Sequence, residues 1–158
     1  MSFARSSFLS LLALLFVPLH FFGQTLNPVK WEFSYKETDD KNGQLVLKAK
    51  MDQEWHIYSQ TQTGEGPLPT VFKFVATPDF DFDGKVVEPD PDRLHDVTFD
   101  VDVAQFILEA SFVQKIKRNN RKEFVIMGEV EFMACNNSMC LPPRTIKFSI
   151  KVPQNELK

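Results

Sequence analysis

Cysteine is scarce in this chain, two in 158 residues, so the fold cannot rest on a disulfide framework and has to bury a core of its own. Hydrophobic runs long enough to span a membrane are missing beyond the first two dozen residues. A basic excess is missing too: without Arg5 the chain carries 17 Lys and Arg against 21 Asp and Glu, a net of −4, which leaves no footprint for nucleic acid. There is no stretch with convincing helical periodicity, no internal repeat and no low-complexity tract. The first 24 residues lack cysteine, which excludes lipidation there as a lipoprotein.

That opening segment, "MSFARSSFLSLLALLFVPLHFFGQ", has Arg5 followed by an apolar run from Phe8 to Val17, then Pro18, His20 and small Gly23. This is the layout of a cleaved signal peptide, with cleavage near Gly23 or Gln24. A membrane anchor needs about 20 apolar residues, more than this run provides. The reading is therefore a signal peptide over 1–24 and one domain over 25–158, exported to the periplasm or otherwise outside the cytoplasm, soluble and not inserted in a membrane, with a monomer as the expected state. Disulfides persist in such compartments.

What is abundant is alternation with period two. In "VKWEFSYK", Val29, Trp31, Phe33 and Tyr35 alternate with polar residues, and Leu45, Leu47, Ala49 and Met51 repeat the pattern after an "NG" turn signal at Asn42 and Gly43. Phe72 with Phe74, and Phe80 with Phe82, mark two shorter runs. "QFILEASFVQKIK" offers Phe106, Leu108, Ala110, Phe112 and Ile116 in one phase; Phe124, Ile126, Val130, Phe132 and Ala134 follow, then Ile146, Phe148, Ile150 and Val152. Seven or so half-buried strands joined by Pro, Gly, Asp and Asn turns predict an all-β, immunoglobulin-like antiparallel sandwich, with a closed barrel as the alternative. Residues 59–70 and 88–100 read as long loops, either binding elements or solvated connections.

Both cysteines fall in "EFMACNNSMCLPP" with four residues between them. As a stabilising bridge the pair would close a ring of six residues, worth about 2 kcal/mol, against more than 4 for a ring of about a hundred. An immunoglobulin domain that relies on a disulfide joins opposite sheets with cysteines far apart in sequence; this pair would be a poor staple and a usable switch. Parity with Glu129, Glu131 and Met133 puts Cys135 on the outward face and within reach of solvent. Across a hairpin the two Cβ atoms would lie about 4.5–5.5 Å apart, whereas an unstrained bridge prefers about 3.8 Å, and such strain would favour reduction. Pro142 and Pro143 withhold two backbone donors just beyond Cys140. Zinc held by both thiolates with His56 and His95 is a second reading, although the spacing matches no zinc motif.

Together, "VEFMACNNSMCLPP", "WHIYSQ" and "GPLPTVFKF" resemble the amino-terminal periplasmic domain of the thiol:disulfide interchange protein DsbD, over about 26–152. The resemblance implies an immunoglobulin-like fold with one redox-active cysteine pair and no bound cofactor or metal. It implies thioredoxin-like partners and a membrane thiol-electron transporter, here expected as a separate protein because neither that transporter nor a thioredoxin-like domain follows in the sequence. By position, Cys140 would form the mixed disulfide and Cys135 would resolve it. Tyr58 and Phe99 would form the site's shell, with Phe99 as the aromatic shield of a cap loop in "LHDVTFDVD". Two departures stand out: family members have five residues between the cysteines rather than four, and Asp100 occupies a position where glycine is expected. Arg144 is the only cation expected near the pair, against Glu129, Glu131 and the acidic run from Asp96 to Asp102, surroundings that predict a thiol slow to ionise. A different class of function, a non-catalytic secreted binding module with a structural disulfide, is the alternative.

Overall fold

The computed structural model describes residues 26–62, 66–96 and 99–155; the export segment read over 1–24 lies outside them. Eleven strands and no helix are present among the described residues. β1 (Val29–Glu37) and β2 (Asn42–Met51) pair antiparallel, and β2 pairs on its other edge with β8 (Glu109–Arg118), which in turn pairs with β5 (Phe80–Val87). The facing sheet has the order β11 (Arg144–Val152), β9 (Phe124–Phe132), β4 (Val71–Phe74). Alternation buries one face of each, and the two inner faces meet through aromatic rings. Trp31 lies 5.7 Å from Phe72 and 5.6 Å from Phe132, Phe33 stacks on Phe148 at 4.4 Å, and Phe72 meets Phe112 at 5.0 Å. Such rings bury large apolar areas with defined geometry, and here they join the sheets into the immunoglobulin-like sandwich that the pattern predicts.

A third sheet, in the order β10 (Ala134–Cys135), β3 (His56–Tyr58), β7 (Val101–Ile107), β6 (Asp92–Asp96), grows from the end of the sandwich. Its strands are extensions of sandwich strands: β3 follows β2, β7 runs into β8, and β10 follows β9. Between them the chain has to turn a corner, and three of the readings from sequence need correction. Leu108 is not core. It sits with φ at 62°, 63% exposed, between β7 and β8, so the run read as one strand is two, in different sheets. Residues 88–100 are not simply a loop, since they contain β6, an edge strand with the single apolar residue Leu94 and therefore no alternation to read. Asn42 and Gly43 do not make the turn; they begin β2, and the bend before them is organised by Asp39, whose Oδ1 accepts from the backbone N–H of Lys41 and of Asn42 at 2.9 Å each. Gly43 leaves room for the Tyr35 ring, which a Cβ there would displace.

Gly128, in mid-strand, makes room in the same way. A Cβ on it would come within 2.6 Å of both the Lys73 carbonyl oxygen and Phe148 Cζ. Overpacking of this kind costs roughly 1–3 kcal/mol. Gly128→Ala is expected to lower the unfolding free energy by that amount, seen as a lower urea midpoint with an unchanged slope. An unchanged midpoint would mean that β4 and Phe148 give way freely.

Candidate functional site

The site begins where the β9–β11 ladder stops. Its last pair is Phe132 with Arg144, and pairing resumes where the Leu141 N–H donates to the Ala134 carbonyl at 2.9 Å. One residue, Met133, thus stands opposite two, Pro142 and Pro143, which have no N–H to contribute; the result is a bulge that shifts the register. Beyond it the chain folds back on itself: the Asn136 N–H donates to the Met139 carbonyl at 2.9 Å, and Asn136 Oδ1 accepts from the N–H groups of Ser138 and Met139, also at 2.9 Å. An asparagine closing a bend with its own side chain is what makes a four-residue connection tight enough. Cys135 and Cys140 fall between the two flanking hydrogen-bonded pairs, in the position of an antiparallel ladder where side chains come closest. Their Cα atoms are 4.0 Å apart and the two sulfurs are bonded.

β10 pairs with β3 so that Ala134 faces Ile57 and Cys135 faces His56. Ala134 and Ile57 point into the sandwich core, and Cys135 points to the opposite face, as its parity requires. That face is covered, however, and the expected accessibility of Cys135 is corrected: it is 1% exposed, packed with Tyr58 and Val103 and flanked by Phe99, Val101 and Met133. Within the third sheet β3 and β10 are buried on both faces, so outward parity no longer means solvent. Cys140 remains partly exposed, next to the half-exposed Met139. The disulfide therefore joins a sealed residue, Cys135, to a partly exposed one, Cys140.

Polar groups follow the same face outward. The buried Tyr58 hydroxyl donates to Asp96 Oδ2 at 3.3 Å and stands 3.1 Å from His56 Nε2. Burial, reinforced by the Asp96 charge, pushes the Tyr58 hydroxyl well above the ordinary tyrosine range, so it keeps its proton. Burial holds His56 below the ordinary histidine range, with Asp96 opposing. Asp96 Oδ1 also accepts the Phe99 N–H at 3.2 Å, which ties the cap segment to this network. The turn after Phe99 passes through Asp100 at φ 56°, the left-handed region that explains why glycine is expected there. His95 spans it, with Nδ1 3.1 Å from Asp102 and Nε2 3.1 Å from Asp100. Two carboxylates facing both ring nitrogens raise its pKa, Asp102 more than Asp100.

The electrostatic neighbourhood is thus not the one read from sequence. Arg144 is turned away, donating to Asn27 Oδ1 at 2.6 Å, and Glu129 and Glu131 pair with Lys73 at 3.4 and 3.7 Å. Instead, His56 stands opposite Cys135, and Asp96 and His95 line a small cleft with it beside Asn136. The two histidines, weighed as zinc ligands, are committed to Tyr58 and to the aspartates, and no cluster of three or more His, Cys, Asp or Glu fit for a metal occurs among the described residues. A signal for His56 was available: it alternates with Tyr58 in "WHIYSQ".

Residues 23–151 match the sequence profile of the family described as thiol:disulfide interchange protein DsbD, N-terminal. The chain belongs to the DsbD N-terminal domain family. Among solved structures, the reduced DsbD N-terminal domain of Neisseria meningitidis is similar over 80% of this chain and 86% of its own, with a TM-score of 0.51 and 12% identity. The N-terminal periplasmic domain of ScsB from Proteus mirabilis is similar over 81% of this chain and 46% of its own, with a TM-score of 0.51 and 16% identity. No curated protein matches. At these identities the two structures speak for the DsbD N-terminal fold alone.

The raised pKa of His95 gives the cap turn a pH dependence. Protonated, the ring bridges Asp100 and Asp102; this contribution is complete below the unfolded histidine pKa and is lost as pH rises through the folded one. Amide exchange at 99–102 is expected to speed up, relative to the rest of the chain, across that rise. His95→Gln is expected to abolish the extra step, and a step that persists in the variant would assign it to another group.

Proposed function

We propose that this chain is an extracytoplasmic thiol-disulfide exchange module, passing electrons through the Cys135–Cys140 pair between a membrane-linked thiol donor and thioredoxin-like acceptors. The observation that carries the reading is the asymmetry of the bridge, with Cys140 partly exposed at the end of a tight bend and Cys135 sealed beneath aromatic and aliphatic side chains. A bond across six residues stabilises the fold by only about 2 kcal/mol, so bracing is a weak reason for its position. Family membership supports the redox role, and the composition of residues 1–24 supports export by a cleaved signal peptide ahead of a domain over 25–158.

Cys140 is the sulfur that exchanges with partners and Cys135 the one that resolves the mixed disulfide, since only a surface sulfur can meet another protein's thiolate in line. Tyr58 and Phe99 form the shell. Tyr58 packs beneath Cys135, and Phe99 covers the pair until a partner displaces it.

With a thioredoxin-like partner, Cys135→Ser is expected to accumulate a mixed disulfide, visible on non-reducing gels, and Cys140→Ser is not. Equal trapping by both variants, or by neither, would defeat the assignment. The reduction potential separates a carrier from a binding module with a brace: a carrier titrates above roughly −300 mV and a brace lies below it. Phe99→Ala is expected to speed reduction of the bridge by glutathione several-fold while leaving that potential nearly unchanged; an unaltered rate would remove the shield from the account.

A further inference from the structure

The geometry points to His56 as the base that takes the proton from Cys135 when the pair resolves a mixed disulfide, through Nδ1, with Tyr58 and Asp96 holding the ring. This rests on the reading of Cys135 and Cys140 as an exchange pair and adds a residue to it.

The problem that His56 answers is set by burial. At 1% exposure Cys135 cannot hand its proton directly to water, and a thiolate is disfavoured in the apolar surroundings of Tyr58, Val103 and Phe99. Resolution nevertheless needs that thiolate. His56 is directly opposite Cys135 in the β3–β10 register. Opposed residues in an antiparallel pair have Cβ atoms about 4.5–5.5 Å apart. Sγ is one bond from its Cβ and Nδ1 two from its own, which brings the acceptor within reach of the thiol.

The hydrogen bonds assign the tautomer. Tyr58 has one hydroxyl proton, and it goes to the Asp96 carboxylate, an acceptor only. The 3.1 Å contact with His56 Nε2 must then be an Nε2–H donating to the Tyr58 oxygen, which leaves Nδ1 with a free lone pair. The charged groups facing the ring are Asp96 from β6, and His95 at the mouth of the same small cleft, already engaged with its aspartates; Gln105 from β7 is neutral. Asp96 alone bears charge toward an imidazolium formed at His56, and it stabilises it.

The step balances as follows. Cys140 loses its proton to solvent and bonds to one sulfur of an oxidised partner, whose other sulfur leaves as a thiolate and takes up a proton from solvent; Cys135 then gives its proton to His56 Nδ1. Its thiolate attacks Cys140 Sγ, the Cys135–Cys140 bond forms, and the bond from Cys140 to the partner breaks. The partner's second thiolate takes up a proton from His56 or solvent. Two electrons and two protons have passed to the partner.

Oxidised glutathione serves as the probe, so that no protein partner is needed. The reduced full chain is mixed with it, and loss of the Cys140–glutathione adduct is followed by rapid quench and mass measurement from acid to alkaline pH. In the wild type the resolution rate is expected to level off once His56 is neutral, below the ordinary histidine range. His56→Gln keeps a donor toward Tyr58 but no base, and is expected to slow resolution about a hundredfold at neutral pH, with the rate still climbing into alkali. The same rate and profile in wild type and variant would overturn the assignment. Nitrogen NMR of the reduced wild-type chain tests it without a substitution: a neutral His56 protonated at Nδ1 rather than Nε2 would also end it. A chain that resolves glutathione through His56 yet never reacts with a thioredoxin-like protein would retain the base and lose the proposed partners.

Discussion

Where Pro142 and Pro143 stand opposite Met133, the ladder between β9 and β11 cannot continue, because two successive residues have no N–H to offer and one strand is a residue longer than the other. Everything specific to the site follows from that mismatch. The chain leaves the sandwich, β10 pairs with β3 instead, and the cysteines arrive at the ladder position where opposed side chains approach most closely. A ladder continued in the same register would have set Cys135 opposite Leu141 and turned Cys140 to the other face of the sheet, so the one-residue shift is what brings the cysteines face to face.

Building the site on a separate small sheet has an energetic consequence as well as a geometric one. β3 is only three residues long and buried throughout: Ile57 faces the sandwich core while His56 and Tyr58 face the disulfide. Its polar groups are therefore out of water and have to find partners. They do so in a chain from His56 through Tyr58 to Asp96, and Asp96 extends it to the cap through the Phe99 N–H. Thr70 adds a bond from its hydroxyl to the Tyr58 carbonyl at 2.6 Å, and Glu88 accepts from both Ser59 and the Gln60 N–H, so the two segments read as long loops are anchored at their bases. A polar network satisfied inside an apolar setting is rigid; the cap beyond it, held by an exposed histidine between two aspartates, is the part left free to respond to conditions.

The strands of the sandwich were legible in the sequence because each buries one face and wets the other, which writes period two into the residues: β1, β2, β9 and β11 lie where alternation puts them. Legibility fails wherever that condition fails. β3 has both faces covered and β6 has almost no apolar face, so neither alternates. At Leu108 alternation continues unbroken across a corner, since Phe106 and Ala110 both point to the core although they belong to different sheets.

At the site, the sequence by itself determined which two residues can bond, that their ring is too small for the bond to be a useful brace, and which family the chain joins, because these depend on residue type and on separation along the chain. Only the tertiary structure decided that Cys135 is sealed and Cys140 is not, that Arg144 faces away, and that His56 and Asp96 face inward. Burial and charge at a point are sums over neighbours brought from distant parts of the chain, and no local pattern records which neighbours those will be.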